Sequence, residues 1–174
     1  MKVLVTGGVR SGKSRHAESL VGTGPVTYVA PGPVPEDDDA DWAARVAAHR
    51  ERRPAAWRTR ETHDLAGALA GADGPLLVDC LGTWVTALLD ADGAWDLASD
   101  EVGALLEARL AAVVAALRDC AHDVVLVTNE VGLGVVPAHR SGRLFRDLLG
   151  TTNQRVAEAC DEVHLVVAGR VLRL

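Results

Sequence analysis

Five short apolar runs punctuate the chain: "KVLVT" (2–6), "VTYVA" (26–30), "LLVDC" (76–80), "VVLVTNE" (124–130) and "VHLVVAG" (163–169). Turn residues bound each of them, and continuous runs of this kind suit strands buried on both faces, as in a parallel sheet. The stretches between them have helical spacing. In 101–118 the residues Val102, Leu105, Leu106, Leu110, Val113, Val114 and Leu117 form one stripe, with Glu101, Glu107, Arg109 and Arg118 mostly off it. That pattern predicts an amphipathic helix. A second long helix is expected from near Arg140 to about Cys160, bent at Gly150, and "KSRHAESLV" (13–21) begins like another. "WRTRE" (57–61) adds a sixth strand, and "VLRL" follows Gly169-Arg170 so closely that it folds back as an antiparallel edge. The stretch 30–41 holds three prolines and five acids and reads as an exposed, flexible loop.

Strands alternating with helices predict an α/β fold: a mainly parallel sheet, helices on both faces and a C-terminal antiparallel edge strand. At 174 residues, without internal repeat or long linker, residues 1–174 form a single domain. Aromatic residues make up only 3%, so the core has to be aliphatic. A formal net charge of -6 argues against a surface built to neutralise nucleic-acid phosphates, although Arg50, Arg52 and Arg53 cluster locally. No apolar run reaches the roughly 18 to 20 residues of a membrane span. Cys80, Cys120 and Cys160 are widely spaced without CxxC, which disfavours a disulfide scaffold or a zinc site and leaves cytoplasmic as the expected compartment.

Chemistry enters at Gly7-Gly8-Val9-Arg10-Ser11-Gly12-Lys13-Ser14, which satisfies G-x-x-x-x-G-K-[ST] between a predicted strand and a predicted helix. That order lets loop N–H groups and a helix N-terminus surround a β-phosphate. Lys13 would neutralise the β/γ oxygens, and the Ser14 hydroxyl would join a Mg²⁺ shell. The loop is a P-loop, and nucleotide binding is the expectation. Asp79, at the end of "LLVDC", is the favoured second metal-positioning carboxylate, with Glu130 as its competitor. The absence of an N-K-x-D element disfavours a GTPase switch, and the length disfavours a helicase or transport ATPase. A small-molecule kinase or a nucleotidyl transferase remains.

The segment 45–61, "RVAAHRERRPAAWRTRE", sets His49 among arginines. Cationic neighbours would lower its pKa and keep the imidazole neutral, and a neutral imidazole near an α-phosphate can act as a nucleophile. A solvated helix face with an incidental histidine is the competing reading.

With "VTGGVRSGKSRHAE", "RVAAHRERRPAAWRTRE", "LLVDCLGTWVTALL", "VVLVTNEVGLGVVP" and "RSGRLFRDLLGTTNQRVAEACDEVHLVVAG" in order, the chain resembles the bifunctional adenosylcobinamide kinase / adenosylcobinamide-phosphate guanylyltransferase family of cobalamin biosynthesis. The resemblance implies a RecA-like P-loop fold, a homotrimer, and two reactions. In the first, adenosylcobinamide is phosphorylated with ATP or GTP. In the second, a histidine takes GMP from GTP and passes it to adenosylcobinamide phosphate. The family's guanylylated histidine maps onto His49, with Lys13 as the second catalytic group. Ser14 and Asp79 would hold Mg²⁺. Arg53 would bind phosphate, and Glu61 would contact ribose or metal; a surface salt bridge is the plainer role for that pair. Some members carry two adjacent histidines where this chain has Ala48-His49, and Pro31-Gly32-Pro33 replaces small polar residues. The His49 segment, following a flexible loop, is expected to move toward the nucleotide. The narrower alternatives are a P-loop kinase without guanylyl transfer and a non-catalytic GTP-binding module.

Overall fold

Alternation along each strand sorts its side chains between two cores. In β1 (Lys2–Thr6), Val3 and Val5 point to one face of the sheet and Leu4 to the other, all at most 1% exposed. The neighbouring strand β5 (Val124–Val127) pairs in parallel so that Val3 meets Val125, Leu4 meets Leu126 and Val5 meets Val127. A slip of one residue would exchange the two cores, so this register is strongly specified.

The computed structural model describes residues 1–32 and 40–174. The remaining strands are β2 (Thr27–Ala30), β3 (Arg58–Glu61), β4 (Leu76–Asp79), β6 (Glu162–Val167) and β7 (Arg170–Arg173). They form a seven-stranded sheet in the order β3-β2-β4-β5-β1-β6-β7, parallel except for β7, which runs antiparallel to β6. The hairpin between β6 and β7 turns on Ala168 (φ 49°) and Gly169 (φ 75°). Positive φ at both positions matches the twist of a two-residue hairpin. The sequence-predicted fold class and edge strand both hold.

One face of the sheet receives Ala17, Leu20 and Val21 of helix α1 (Lys13–Val21), packed with Val3, Val5, Tyr28, Leu77, Val125 and Val127. The other face receives α3 (Leu65–Ala70), α4 (Leu81–Ala91), α5 (Ser99–Asp119) and α6 (Arg140–Ala157), packed on Leu4, Val29, Leu76, Val78, Val124 and Leu126. α2 (Ala40–Glu51) carries the His49 segment. The helix predicted over 101–118 is α5, and its stripe is buried except for Leu105, which is 43% exposed. At about 100° per residue, Leu105 lies furthest from the centre of that stripe.

α6 is one continuous helix across Gly150. One expectation is corrected. The strand predicted over 124–130 stops at Val127, because α6 captures the next two residues: the buried Thr128 donates its hydroxyl to Asn153 Oδ1 (2.6 Å), and Asn153 Nδ2 donates to the Asn129 carbonyl (3.1 Å). The backbone still tracks β1 beyond that point, with Thr128 N–H on the Val5 carbonyl and Glu130 N–H on the Gly7 carbonyl. Most of the acidic proline-rich stretch expected as a loop, residues 33–39, lies outside the described residues. Among the described residues no helix is long and apolar enough to cross a membrane.

Candidate active site

Strand ends define the site. β1 ends at Thr6, and the chain crosses residues 7–12 before α1 begins at Lys13. Turning that tightly requires unusual backbone: Arg10 has φ 57° and Gly12 φ 98°. A Cβ on Gly7 would lie 2.4 Å from the Val166 carbonyl oxygen, so the loop rests directly on the neighbouring strand. The turn of the β6–β7 hairpin supports it from the other side, Gly169 N–H donating to the Ser11 carbonyl at 2.8 Å. Lys13 Nζ donates to the Gly8 carbonyl at 3.1 Å. The P-loop expected from sequence is thus present with its helix N-terminus.

A cavity of about 700 Å³ opens over this loop. Val9, Arg10, Ser11, Gly12, Lys13 and Ser14 line it, whereas Gly7 and Gly8 are not among its lining residues. The opposite wall brings His49, Arg50, Arg52 and Arg53 together with Glu61 at the end of β3 and Asp79 at the end of β4. All the predicted site residues except the two leading glycines therefore meet in one cavity. Among the described residues six cationic side chains line it (Arg10, Lys13, Arg15, Arg50, Arg52, Arg53) against two carboxylates (Glu61, Asp79), although the chain as a whole carries -6. Such a concentration of positive charge suits a triphosphate.

His49 is half-buried on the last turn of α2, so it already shares the cavity with the P-loop. Its Nδ1 stands 3.3 Å from an Arg52 guanidinium nitrogen and 3.7 Å from Asp79 Oδ2. A guanidinium can only donate, so Nδ1 accepts in that contact, and the neutral ring carries its proton on Nε2. The His49 pKa is lowered, as the sequence suggested, but by a different leading cause. Burial acts first, the Asp79 charge opposes it, and Arg52 and Arg53 add to the lowering.

Asp79 Oδ2 is buried without a hydrogen-bond partner. Burial and the Asp79 charge push the Tyr28 phenol well above its ordinary value, with Arg53 opposing. Arg53 lies over the Tyr28 ring, its Cζ 3.4 Å from the centroid, and donates to Thr59 Oγ1 at 2.8 Å. Glu61 pairs with Arg50, the salt-bridge role that sequence left open for it. Glu130, the alternative metal carboxylate, is not among the lining residues and instead accepts the Gly132 N–H at 3.1 Å.

Several contributors escaped the sequence reading. Asn129, Cys80 and Thr83 line the cavity from loop and helix-start positions to which the sequence reading gave no role. Tyr28 had a signal, being the single tyrosine of the chain and lying near the end of a predicted strand. Gly32 also lines the cavity, although the Pro31-Gly32-Pro33 departure gave no reason to expect it. Arg140 and Arg143 bond backbone carbonyls, Arg140 those of Trp95 and Leu97 and Arg143 those of Pro137 and Ala138. His16 shares a 2.9 Å contact with the buried His164, which in turn meets Glu162 at 2.8 Å.

Comparison with known proteins identifies the family. The family model described as cobinamide kinase / cobinamide phosphate guanyltransferase matches residues 3–174. The bifunctional adenosylcobalamin biosynthesis protein CobU of Salmonella typhimurium is 46% identical, with 97% of each chain covered. The protein of the same name in Escherichia coli is 44% identical over the same shares. CobP of Pseudomonas aeruginosa, also a bifunctional adenosylcobalamin biosynthesis protein, is 42% identical over 97% of this chain and 94% of its own. With a P-loop, an arginine-lined histidine and a full-length match, the chain belongs to the cobinamide kinase / cobinamide phosphate guanyltransferase family.

Proposed function

We propose that the protein phosphorylates adenosylcobinamide with ATP or GTP and then transfers GMP from GTP to the phosphorylated product through His49. The observation that carries this reading is the position of a neutral, half-buried imidazole in the same basic cavity as the P-loop. In the kinase step, Lys13 and the N–H groups at the start of α1 hold the phosphate chain for attack by the corrinoid's hydroxyl. In the second step, a His49 ring nitrogen attacks the α-phosphorus and the bond to the β-bridging oxygen breaks. Pyrophosphate leaves, stabilised by Lys13 and the arginines. A phosphate oxygen of adenosylcobinamide phosphate then attacks the same phosphorus and the P–N bond breaks, giving adenosylcobinamide-GDP and free imidazole.

For an Nε2 attack the ring proton must first move to Nδ1. Asp79, whose Oδ2 lies 3.7 Å from Nδ1, would then accept that proton's hydrogen bond, while Arg52 stays beside the ring on Glu18. The buried, partnerless Asp79 Oδ2 and the Ser14 hydroxyl also suit a hard divalent cation, and they would hold Mg²⁺. Such an ion supplies charge neutralisation on the phosphate oxygens. Arg53 would contact phosphate and Glu61 the ribose or the metal. Assembly as a homotrimer is part of the same reading. Exposed apolar side chains, among them Leu133 (87%) and Val135 (96%), support association, and light scattering would read three times 18.3 kDa.

The deciding experiment incubates the protein with Mg²⁺ and GTP labelled at the α-phosphorus. Acid-labile, alkali-stable label that survives denaturation and vanishes in His49→Ala is the expected result. Absence of label with GTP bound would sink the guanylyl step and leave the kinase, which corrinoid-dependent GTP consumption would then read.

A further inference from the structure

Glu18 lies beyond the phosphate loop, yet it ends a chain of contacts that leads to His49. It lies four residues after Ser14 on α1, so the two share a helix face, and Ser14 lines the cavity. The Glu18 side chain is only 17% exposed. Its Oε1 accepts from the Arg52 guanidinium at 3.2 Å, and the same Arg52 nitrogen stands 3.3 Å from His49 Nδ1. His49 Nδ1 in turn faces Asp79 Oδ2 at 3.7 Å. Three elements are thereby joined: α1, which begins at the P-loop; the end of α2, which carries His49; and β4, which ends in Asp79.

A long arginine side chain has many rotamers, and holding it in one of them needs a fixed partner. α1 is the stiffest part available, because its apolar face packs against the sheet through Ala17, Leu20 and Val21. Without Glu18 the Arg52 guanidinium would lose a charged partner that holds it beside His49. The imidazole would then lose a defined orientation toward the phosphate loop. The groups assigned above to phosphoryl transfer, Lys13 and Ser14, stand on the loop and at the first turn of α1, and Lys13 donates its hydrogen bond to the Gly8 carbonyl.

We propose that Glu18 is a positioning residue for guanylyl transfer: through Arg52 it orients His49 toward the nucleotide, while the kinase step does not need it. The inference rests on the His49 reading above, and its test separates the two. Single-turnover formation of the labelled intermediate from α-labelled GTP would be compared in the parent, Glu18→Gln and Glu18→Asp. In parallel, the kinase step would be followed by γ-label transfer to adenosylcobinamide. Misplacing a reacting group by about 1 Å costs on the order of 10²-fold. Glu18→Gln should accordingly slow labelling about 10- to 100-fold while kinase kcat and KM stay within about twofold, and Glu18→Asp should recover part of the labelling rate. Equal labelling in parent and Glu18→Gln would overturn the inference alone. A matching fall in the kinase step would also overturn it, by showing that Glu18 merely supports α1. A parent chain without His49-dependent label would remove the guanylyl reading and this inference with it.

Discussion

Gly7→Ala is the sharpest perturbation of the phosphate loop, because its cost follows from two distances. The methyl carbon would stand 2.4 Å from the Val166 carbonyl oxygen and 2.7 Å from Ser11 Oγ, at φ +157°. A carbon–oxygen contact ordinarily needs about 3.3 Å. The Ser11 side chain can rotate away, but Val166 is 1% exposed in β6, and β6 is fixed by its parallel pairing with β1. The loop must therefore give way. Overpacking of this kind costs about 1–3 kcal/mol. For a domain of this size each kcal/mol lowers Tm by about 2–4 °C, so a mid-range cost of about 2 kcal/mol predicts a fall of about 4–8 °C. Displaced loop N–H groups lose charge-assisted hydrogen bonds to phosphate, which weakens GTP binding by at least about tenfold. Gly8→Ala is the paired control: its methyl meets nothing within 4 Å, so stability should stay within about 0.5 kcal/mol of the parent. Calorimetric melting with and without GTP reads both quantities, because the ligand-induced shift reports affinity. A Gly7→Ala protein that melts with the parent and shows the same GTP shift would refute the steric argument.

Other outcomes are expected from the same geometry. Lys13→Ala removes the cation at the loop and should weaken GTP binding by about 10- to 100-fold in calorimetric titration, with the melting temperature nearly unchanged. Trp84, 1% exposed and donating its Nε1–H to the His63 carbonyl at 2.9 Å, anchors α4 on the sheet. Trp84→Ala should cost about 3–5 kcal/mol in urea unfolding, and a loss below about 1 kcal/mol would contradict its packing role. The folded-state pKa of His49 lies below its ordinary 6.5, so as pH falls the unfolded chain takes up the proton first. Its contribution to stability is therefore whole above 6.5 and is lost as pH falls through the lowered folded value. Intermediate formation from GTP should likewise stay level down to pH 6.5 and decline only beneath it; a half-maximal point above pH 7 would contradict a neutral, buried imidazole. By contrast, the Arg58–Asp73 pair is 66% and 68% exposed, and Arg58→Ala should shift the unfolding midpoint by no more than an exposed pair's share, under about 1 kcal/mol.

The strand set was legible because buried parallel strands leave continuous apolar runs, and "KVLVT", "VTYVA" and "LLVDC" carry that signal without help from neighbours. The phosphate loop was legible for a similar reason, since its glycines, Lys13 and Ser14 are consecutive and the backbone itself makes the site. α5 could be read from its stripe, but the exposure of Leu105 depends on how far the helix is rolled onto the sheet. The strand after Val124 was read too long because "VTNE" looks extended, and its true end depends on Asn153 of α6, which is remote in sequence.

By itself, then, the sequence determined what is local: which segments are strands, where the hairpin reverses, and that a loop and helix N-terminus are shaped for phosphate. It also marked His49 and Asp79 as residues of interest, but as separate points on the chain. Only the tertiary structure decided that they face each other at 3.7 Å, and that Arg52 links His49 to Glu18 on α1. It likewise decided that burial, ahead of the arginines, lowers the pKa of His49. The physical reason is one of range. Periodicity and turn chemistry act over a few residues, whereas the site is closed by parallel strands whose ends the sheet brings side by side across long intervals of chain.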